Sequence, residues 1–338
     1  GLDLSPTDIL KADIIGEIPK NKQDTYTKKW EDIEQDLGRQ AFSELFAHIR
    51  MIFRKVKAQG TTLDEIRKHI HPEKKPIHFI ENTLIPLSDA YYEIQHEQFE
   101  STRRAEEVNF YFRFLNQVDN FDWIPPAILH LAMHKHNPDL LVEFFKKLER
   151  LAACMMVMRT KINDRIKRYG ALITAIEEGR DIFAEGSPLL LTEDDKQRTL
   201  TNLGGDVYTE LYTRYILLRL DSCLVTGEAW YNYKTISIEH VLPQNPKPDS
   251  QWLALFPDEE QRLIYTHQLG NLILLSRKKN STAQNYDFAE KKEKYFYAEA
   301  APFALTAEVR NEHKWTPKVI ERRQARLLNV LSEAWDLT

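Results

Sequence analysis

The chain has 338 residues and a formal net charge of -5, with 29% charged and 42% hydrophobic residues. This composition is that of an ordinary globular protein, so it excludes a disordered chain, and its acidic balance gives no overall signal of nucleic-acid binding. With two cysteines, no apolar run of membrane-spanning length and no signal-peptide pattern, the sequence favours neither a disulfide framework nor a membrane protein, and we expect a cytoplasmic location.

The first predicted element is a helix close to the start of the chain. Ser5 has the position of an N-cap, Pro6 that of the first helical residue, and Asp8 places a negative charge in the first turn. We interpret residues 1–22 as a junction helix that leads into the next domain.

A long helical domain is predicted over residues 23–228. Apolar residues recur there at steps of mostly three and four, beginning with Trp30, Ile33 and Leu37. Among the later stretches, we expect a helix over residues 207–224. The pattern predicts a multi-helix bundle with short connections.

Three histidines in this domain raise the question of a metal site. His130 and His134 are four residues apart, a spacing at which two imidazoles on one helix face can bind zinc, and His136 follows them. No cysteine or acidic residue within the stretch completes a ligand set. We therefore prefer to interpret the three residues as polar positions at a helix end.

Residues 229–300 carry the side chains best suited to chemistry. A short β-branched run places Glu239 and His240 side by side, and a proline shortly afterwards ends the strand. A second apolar run at residues 272–275 leads into an amide-rich, basic segment that contains Asn280 and continues as a helix. The predicted layout is strand, turn, strand and helix.

These side chains suit the hydrolysis of a phosphodiester. That reaction needs a base to deprotonate water and a cation to neutralise the charge that builds on the phosphate and the leaving oxygen. The imidazole of His240 is a base at neutral pH. The carboxylate of Glu239 and the carboxamide of Asn280 are hard oxygen ligands for Mg²⁺, which keeps several waters and so needs few protein ligands.

Basic character is local to this part of the chain. Residues 276–294 contain six lysines and arginines against three acidic residues. Lys279, Lys291 and Lys292 are candidates for holding DNA phosphates beside the site. A solvated helix face is the alternative interpretation of the same charges.

His267 is predicted to be structural, with a ligand role as the alternative.

The amino-acid sequence of this segment resembles that of a known protein family. E-H-V-L-P-Q, L-G-N-L-I-L-L and K-N-S-T-A-Q-N follow one another here and are similar to the HNH, or ββα-metal, nuclease motif. More narrowly, they resemble the C-terminal nuclease domain of GmrSD-like type IV restriction enzymes, which cut modified phage DNA. The nine-residue separation of Asn271 and Asn280 also resembles the HNH domain of RNA-guided CRISPR nucleases.

The resemblance implies a role for each matching residue. His240 would be the general base, and Glu239 and Asn280 would bind Mg²⁺ or Mn²⁺. Asn271 would orient the His240 loop through amide hydrogen bonds. The chain departs from the family in having glutamate where many relatives have aspartate, and in the thirty-one residues that separate His240 from Asn271. The N-terminal segment resembles the junction after a nucleotide-using sensor domain, which we expect in the full-length chain.

The last segment, residues 301–338, is predicted to form an amphipathic helix that begins at Thr316 and Pro317 and packs back on the helical body. The expected fold is thus mainly α, a multi-helix bundle with an embedded small ββα-metal unit. The expected function is that of a metal-dependent DNA endonuclease or nickase, the effector of a prokaryotic anti-phage restriction system. Its partner would be double-stranded phage DNA, and oligomerisation is left open.

Two other functions stay open at this point. One is a helical module for DNA binding or oligomerisation, whose HNH unit is an inactive scaffold. The other is a nuclease that acts on structured RNA.

Overall fold

The structure, a computed structural model, describes residues 4–225, 235–276, 285–297 and 302–338. The chain divides into two compact units: Gly1–Met155 with Arg159–Leu191, and Met156–Met158 with Thr192–Thr338. Helices dominate both units, and the described residues contain one sheet of two strands, so the predicted mainly helical class is confirmed. None of the described helices is both long enough and apolar enough to cross a membrane.

The first unit is built from helices joined by short connections. They are α1 (Pro6–Gly16), α2 (Lys20–Leu37), α3 (Arg39–Arg54), α4 (Thr62–His69), α5 (Pro76–Phe79), α6 (Ile85–His96), α7 (Ala105–Leu115), α8 (Ile124–His134), α9 (Pro138–Val157) and α10 (Ile162–Glu177).

The start of α1 confirms the predicted helix cap. The Ser5 hydroxyl accepts a hydrogen bond from the Asp8 N–H, and the Asp8 carboxylate accepts one from the Ser5 N–H, which forms a capping box. Pro6 occupies the first turn, where its missing N–H costs nothing. The predicted boundary at residue 22 lies inside α2, because that helix already begins at Lys20.

Aromatic packing fills the core of the first unit. Trp30 is fully buried between Phe42 and Phe46, at ring-centroid distances of 5.4 and 5.5 Å. His130 is also a core residue, because its ring is 2% exposed and stacks on Phe144 at 3.8 Å. A polar position at a helix end was predicted for His130, and that placement is wrong.

The second unit combines the small sheet with further helices. Its elements are α11 (Glu193–Leu203), α12 (Thr213–Leu224), β1 (Ser237–His240), α13 (Gln251–Leu255), α14 (Glu259–His267), β2 (Leu272–Leu275), α15 (Phe288–Lys294), α16 (Ala304–Arg310) and α17 (Pro317–Trp335).

The two strands are antiparallel and four residues long. His240 faces Leu272 and Glu239 faces Ile273 across the pair. A sheet of two strands is marginal by itself and needs other elements packed around it. One such contact comes from Thr306 of α16, whose hydroxyl donates to the Leu274 carbonyl at 2.7 Å and accepts from the Leu274 N–H at 3.2 Å.

A separate apolar core surrounds the sheet. It joins residues from β2, from the chain just after β1, from the insertion between the strands and from the segments that follow. Its buried members are Val241, Leu242, Trp252, Phe256, Ile273, Leu275, Phe288, Phe296, Val309, Trp315 and Ile320. The segment between the strands therefore contributes anchors of its own, with the Trp252 indole N–H donating to the Tyr286 carbonyl at 2.9 Å.

The second unit includes α11 and α12 together with the sheet and the C-terminal helix. The predicted domain division at residue 228 falls within this compact unit and stays a prediction. The Asp221 carboxylate of α12 accepts from the Leu305 N–H at 2.8 Å, and Gln324 of α17 donates to the Leu203 carbonyl at 3.2 Å. The C-terminal helix α17 likewise belongs to this unit, with α11 and α12 among the helices that it contacts.

The helix predicted over residues 207–224 begins only at Thr213. The main-chain N–H groups of Val207 and Tyr208 donate to the His267 carbonyl, at 3.0 and 3.2 Å, instead of entering a helix. The Thr213 hydroxyl donates to the Glu210 carbonyl at 2.6 Å and so stabilises the turn before α12. As a result, residues 207 and 208 lie beside the sheet.

Candidate active site

Glu239 and His240 are the last two residues of β1 and are held in a closed environment. Glu239 is 7% exposed and His240 is 3% exposed. Both line a cavity of about 120 Å³, together with Tyr208, Pro243, Gln244, Asn245 and Asn285. The two residues that the sequence predicted to work together therefore do share one small polar cavity.

Three side chains contact or surround the His240 imidazole. The Gln244 side-chain amide lies 3.3 Å from Nδ1, so its N–H group donates to this atom when Nδ1 is unprotonated. The Tyr208 ring meets the imidazole edge to face, with a centroid distance of 4.0 Å. His267 stacks on Tyr208 at 5.3 Å and also meets the imidazole edge to face, with a centroid distance of 5.4 Å. These contacts restrict the rotation of the His240 ring.

Asn271 fixes the chain that follows His240. Its side chain is fully buried, and its Oδ1 accepts hydrogen bonds from the Leu242 N–H at 2.7 Å and the Trp315 indole N–H at 3.0 Å. Its Nδ2 donates to the carbonyls of Leu242 and Thr266, both at 2.9 Å. The Asn271 main-chain carbonyl accepts from the Val241 N–H at 3.0 Å. This is the pattern of amide hydrogen bonds that the resemblance implied, and its role in catalysis stays a prediction.

Lys291 makes its polar contacts inside the second unit. Its ammonium donates to the His240 carbonyl at 2.7 Å and lies 3.5 Å from a Glu239 carboxylate oxygen, and the residue is only 1% exposed. A buried ammonium needs such partners because burial without them is costly. The prediction that Lys291 holds a DNA phosphate does not fit this placement, since its charged group faces the strand end.

The other predicted phosphate contacts differ in position. Lys292 is half-buried, donates to the Glu312 carbonyl at 2.7 Å and lies 5.4 Å from the centre of the Phe288 ring. Lys279 and the predicted metal ligand Asn280 lie outside the described residues. Thus, of the residues predicted to act together, the described part of the structure brings Glu239, His240 and Asn271 into one place.

The lining of the cavity has the donor chemistry of a magnesium or manganese site. It offers one carboxylate, from Glu239, and the amide oxygens of Gln244, Asn245 and Asn285. In the part of the chain that the structure describes, no three His, Cys, Asp or Glu side chains gather into a metal-binding cluster. The donor set therefore fits a hard cation that keeps most of its waters, with few protein ligands.

Several residues around the site were missed or only partly recognised from the sequence. Gln244 is the last letter of the E-H-V-L-P-Q motif, and Asn285 continues the family-like pattern, so both had a signal. Tyr208 and Trp315 had none, because they lie 32 residues before His240 and 44 residues after Asn271 in the chain. Only the tertiary fold brings these two aromatic side chains to the site.

A buried histidine beside a carboxylate, at the end of a short strand and in a polar cavity, defines a class of site suited to hydrolysis with a base and a metal ion. Residues 191–330 match the family model of the C-terminal domain of GmrSD restriction endonucleases. The matched range begins one residue before Thr192, where the main part of the second unit begins. The match supports a GmrSD-like C-terminal region in this part of the chain, as the resemblance predicted. The family implies nuclease activity in general, with DNA as the substrate. No curated protein matches the chain.

Proposed function

We propose that the chain is a metal-dependent DNA endonuclease or nickase of the HNH type. The observation that carries this proposal is the pairing of His240 with Glu239 in one polar cavity, on a strand end that Asn271 holds by three hydrogen bonds to residues 241 and 242. The family match supports the nuclease class, and restriction endonucleases generally use divalent metal ions.

In the proposed mechanism, His240 takes a proton from a water molecule, which attacks phosphorus in line with the departing 3′ oxygen and leaves a 5′ phosphate. Glu239 and Asn280 would hold Mg²⁺ or Mn²⁺. When bound, the ion supplies positive charge that stabilises the phosphate and the leaving oxygen in the transition state. Gln244 and Tyr208 restrict the rotation of the imidazole. The ring acts as a base through the nitrogen that carries no hydrogen.

In this proposal, the Glu239 carboxylate interacts with two cations, the Lys291 ammonium and the metal ion. The carboxylate lies 3.5 Å from the Lys291 ammonium, which also fixes the strand end through the His240 carbonyl. A nearby cation stabilises the charged carboxylate and weakens the binding of a second cation. We therefore expect modest metal affinity in the free protein, and tighter binding when DNA phosphates add negative charge.

The biological setting belongs to the same proposal. We propose that the chain is the effector part of an anti-phage restriction system, located in the cytoplasm, with phage double-stranded DNA as its substrate. An N-terminal sensor domain of the same full-length protein would select the DNA. Lys279 and Lys292 are the proposed phosphate contacts.

Cleavage of a supercoiled plasmid tests the proposal. The native protein is incubated with Mg²⁺, Mn²⁺ or EDTA and compared with His240→Ala and with His136→Ala, a control at an exposed position in the other unit. We expect cutting with either metal, none in EDTA, and loss of activity by at least about 100-fold in His240→Ala only. Equal activity of all three proteins would remove His240 from the mechanism. The ratio of nicked to linear product identifies the cutting pattern.

One observation favours an alternative function. Because the Lys291 ammonium lies beside Glu239, the carboxylate already has a cation within reach, as expected for a scaffold that has lost its metal. The chain would then be a helical module for DNA binding or oligomerisation. Retention of DNA in EDTA without any cutting in Mg²⁺ or Mn²⁺ would support this alternative, and a parallel structured RNA substrate tests whether RNA is cut instead.

A further inference from the structure

The C-terminal helix contacts the turn that carries Asn271. Arg323 of α17 extends its guanidinium into this turn, and one of its terminal nitrogens, Nη1, donates to the carbonyls of Leu269, Gly270 and Leu272 at 3.3, 2.8 and 3.0 Å. Its other terminal nitrogen, Nη2, donates to the Leu305 carbonyl at 3.0 Å. A single side chain therefore binds three of the four carbonyls in residues 269–272.

This arginine is costly to bury. It is 6% exposed, and burial lowers the pKa of Arg323 to about 10, so the group stays charged at neutral pH. The acidic side chain that acts most strongly on it, Glu308, forms an ion pair with Arg326 at 2.6 Å. The planar guanidinium reaches several carbonyls at fixed angles, which a lysine ammonium does not reproduce. The cost of burial is offset by hydrogen bonds that fix one turn.

Other parts of α17 converge on the same turn. The Gly270 N–H donates to the Gln324 side-chain oxygen at 2.7 Å. A Cβ on Gly270 would lie 2.6 Å from the Ile320 carbonyl, so the main chains of the turn and of the helix are in direct contact. Trp315, two residues before the helix, donates to the Asn271 side chain at 3.0 Å. The position of Asn271 therefore depends on α17.

We propose that Arg323 is a positioning residue for the active site, which aligns the His240 strand end through the turn at residues 269–272 and the Asn271 side chain. The connection has two steps. Arg323 holds the carbonyls of the turn, and Asn271 in the turn holds the main chain of Val241 and Leu242, next to His240. This inference rests on the proposed nuclease function and names the element that completes its geometry.

The matched variants are Arg323→Lys and Arg326→Lys, on the same helix and three residues apart. Arg326 is about half exposed and pairs with Glu308, so its replacement removes no contact to the turn. With both variants shown to be folded by circular dichroism at the assay temperature, we expect Arg323→Lys to lower kcat for plasmid cleavage at least about tenfold with KM nearly unchanged. We expect Arg326→Lys to keep the native kcat.

A second variant covers the case in which Arg323→Lys does not fold. Gln324→Met keeps the length of the side chain but removes the hydrogen bonds to the Gly270 N–H and the Leu203 carbonyl. Its kcat is expected to fall several-fold, again without a matching rise in KM. Native kcat in every folded variant that weakens the turn would overturn the proposal.

Hydrogen exchange separates this inference from the proposed function, because it needs no activity. In Arg323→Lys, we expect faster amide exchange in a peptide that covers Val241 and Leu242, with unchanged exchange in a peptide from α12. A merely structural role would accelerate exchange in both peptides. If the native protein cuts no DNA, the selective change would still support the positioning role. If exchange at Val241 and Leu242 is unchanged, the role is wrong whatever the activity.

Discussion

At the scale of single residues, Asn271 is the most demanding position in the site. Its side chain is fully buried and uses both its oxygen and its nitrogen, each in two hydrogen bonds. An isosteric replacement cannot reproduce two donors and one doubly used acceptor. The residue is therefore expected to determine the stability of the second unit as well as the orientation of the His240 loop.

Asn271→Asp is expected to lower the free energy of unfolding by about 3 kcal/mol at pH 7, because it buries a carboxylate and leaves two carbonyl oxygens without their donor. Urea denaturation measures the loss. Asn245→Asp, at an exposed position that lines the cavity, is the control and should change stability by less than about 0.5 kcal/mol. Similar losses in the two variants would contradict the assigned hydrogen bonds.

His130 gives the first unit a pH-dependent stability. Burial, with a smaller contribution from His134, lowers the pKa of His130 to about 3, from an ordinary value of 6.5. As the pH falls below about 6.5, the unfolded chain binds a proton that the folded chain does not, so stability is lost. The stabilising neutral form is fully favoured only above the ordinary pKa.

The variant that tests this is His130→Phe, which keeps an aromatic ring against Phe144. Between pH 7 and pH 5, the native protein should lose about 2 kcal/mol more stability than His130→Phe, as urea denaturation at the two pH values measures. The exposed His136, replaced by Gln, is the control and should keep the native pH dependence. An unchanged slope in His130→Phe would show that His130 titrates normally.

Short patterns of neighbouring residues in the sequence predicted much of the candidate site. The strand that presents Glu239 and His240, and the apolar run after Asn271, form the sheet that was expected. Lys291 shows the limit of this reasoning, because a lysine in a charged helix reads the same whether its ammonium faces solvent or the His240 carbonyl. Tyr208 could not be predicted, since its position depends on a distant carbonyl, that of His267.

At the scale of elements, the space around a glycine in a helix determines whether a larger side chain is tolerated there. Gly170 lies within α10, and a Cβ there would be 2.5 Å from the Lys55 carbonyl, in the first unit. Gly16 is the last residue of another helix, α1, and a Cβ there would meet nothing within 4 Å. Both glycines belong to helices, but a Cβ on Gly170 would collide with the Lys55 backbone, whereas a Cβ on Gly16 would enter open space.

Gly170→Ala is therefore expected to destabilise the protein by about 1 to 3 kcal/mol, because the backbone of Lys55 must move away. Gly16→Ala should be neutral or stabilise it by up to about 1 kcal/mol, through the better helix propensity of alanine. Thermal unfolding of both variants gives the comparison. A stabilising effect of Gly170→Ala would contradict the close approach of the two segments.

Element boundaries were less predictable than element types. Helical periodicity correctly indicated most of the first unit, whereas the two compact units divide near residue 191 and the predicted domain boundary was at residue 228. The reason is that α11 and α12 have ordinary helical patterns whose partners, among them Gln324 and Leu305, come from the far end of the sequence. Local periodicity reveals that a helix has a buried face and does not reveal which unit covers it.

At the scale of the whole molecule, the matched family range and the second compact unit nearly coincide. Residues 191–330 match the GmrSD C-terminal domain, and the unit extends over Thr192–Thr338 with Met156–Met158. The nuclease assignment therefore rests on a unit with its own core, sheet and C-terminal helix. With a net charge of -5 for the chain, DNA contact depends on a local basic surface, which makes ionic strength an important variable in any cleavage assay.

The measurement that tests the central claim most directly is a crystal structure of the protein soaked with Mn²⁺. We predict one anomalous peak in the cavity, within about 2.5 Å of a Glu239 carboxylate oxygen, and its loss in crystals of Glu239→Ala. A protein that cuts DNA but shows no peak at Glu239, or a peak that survives in Glu239→Ala, would contradict it.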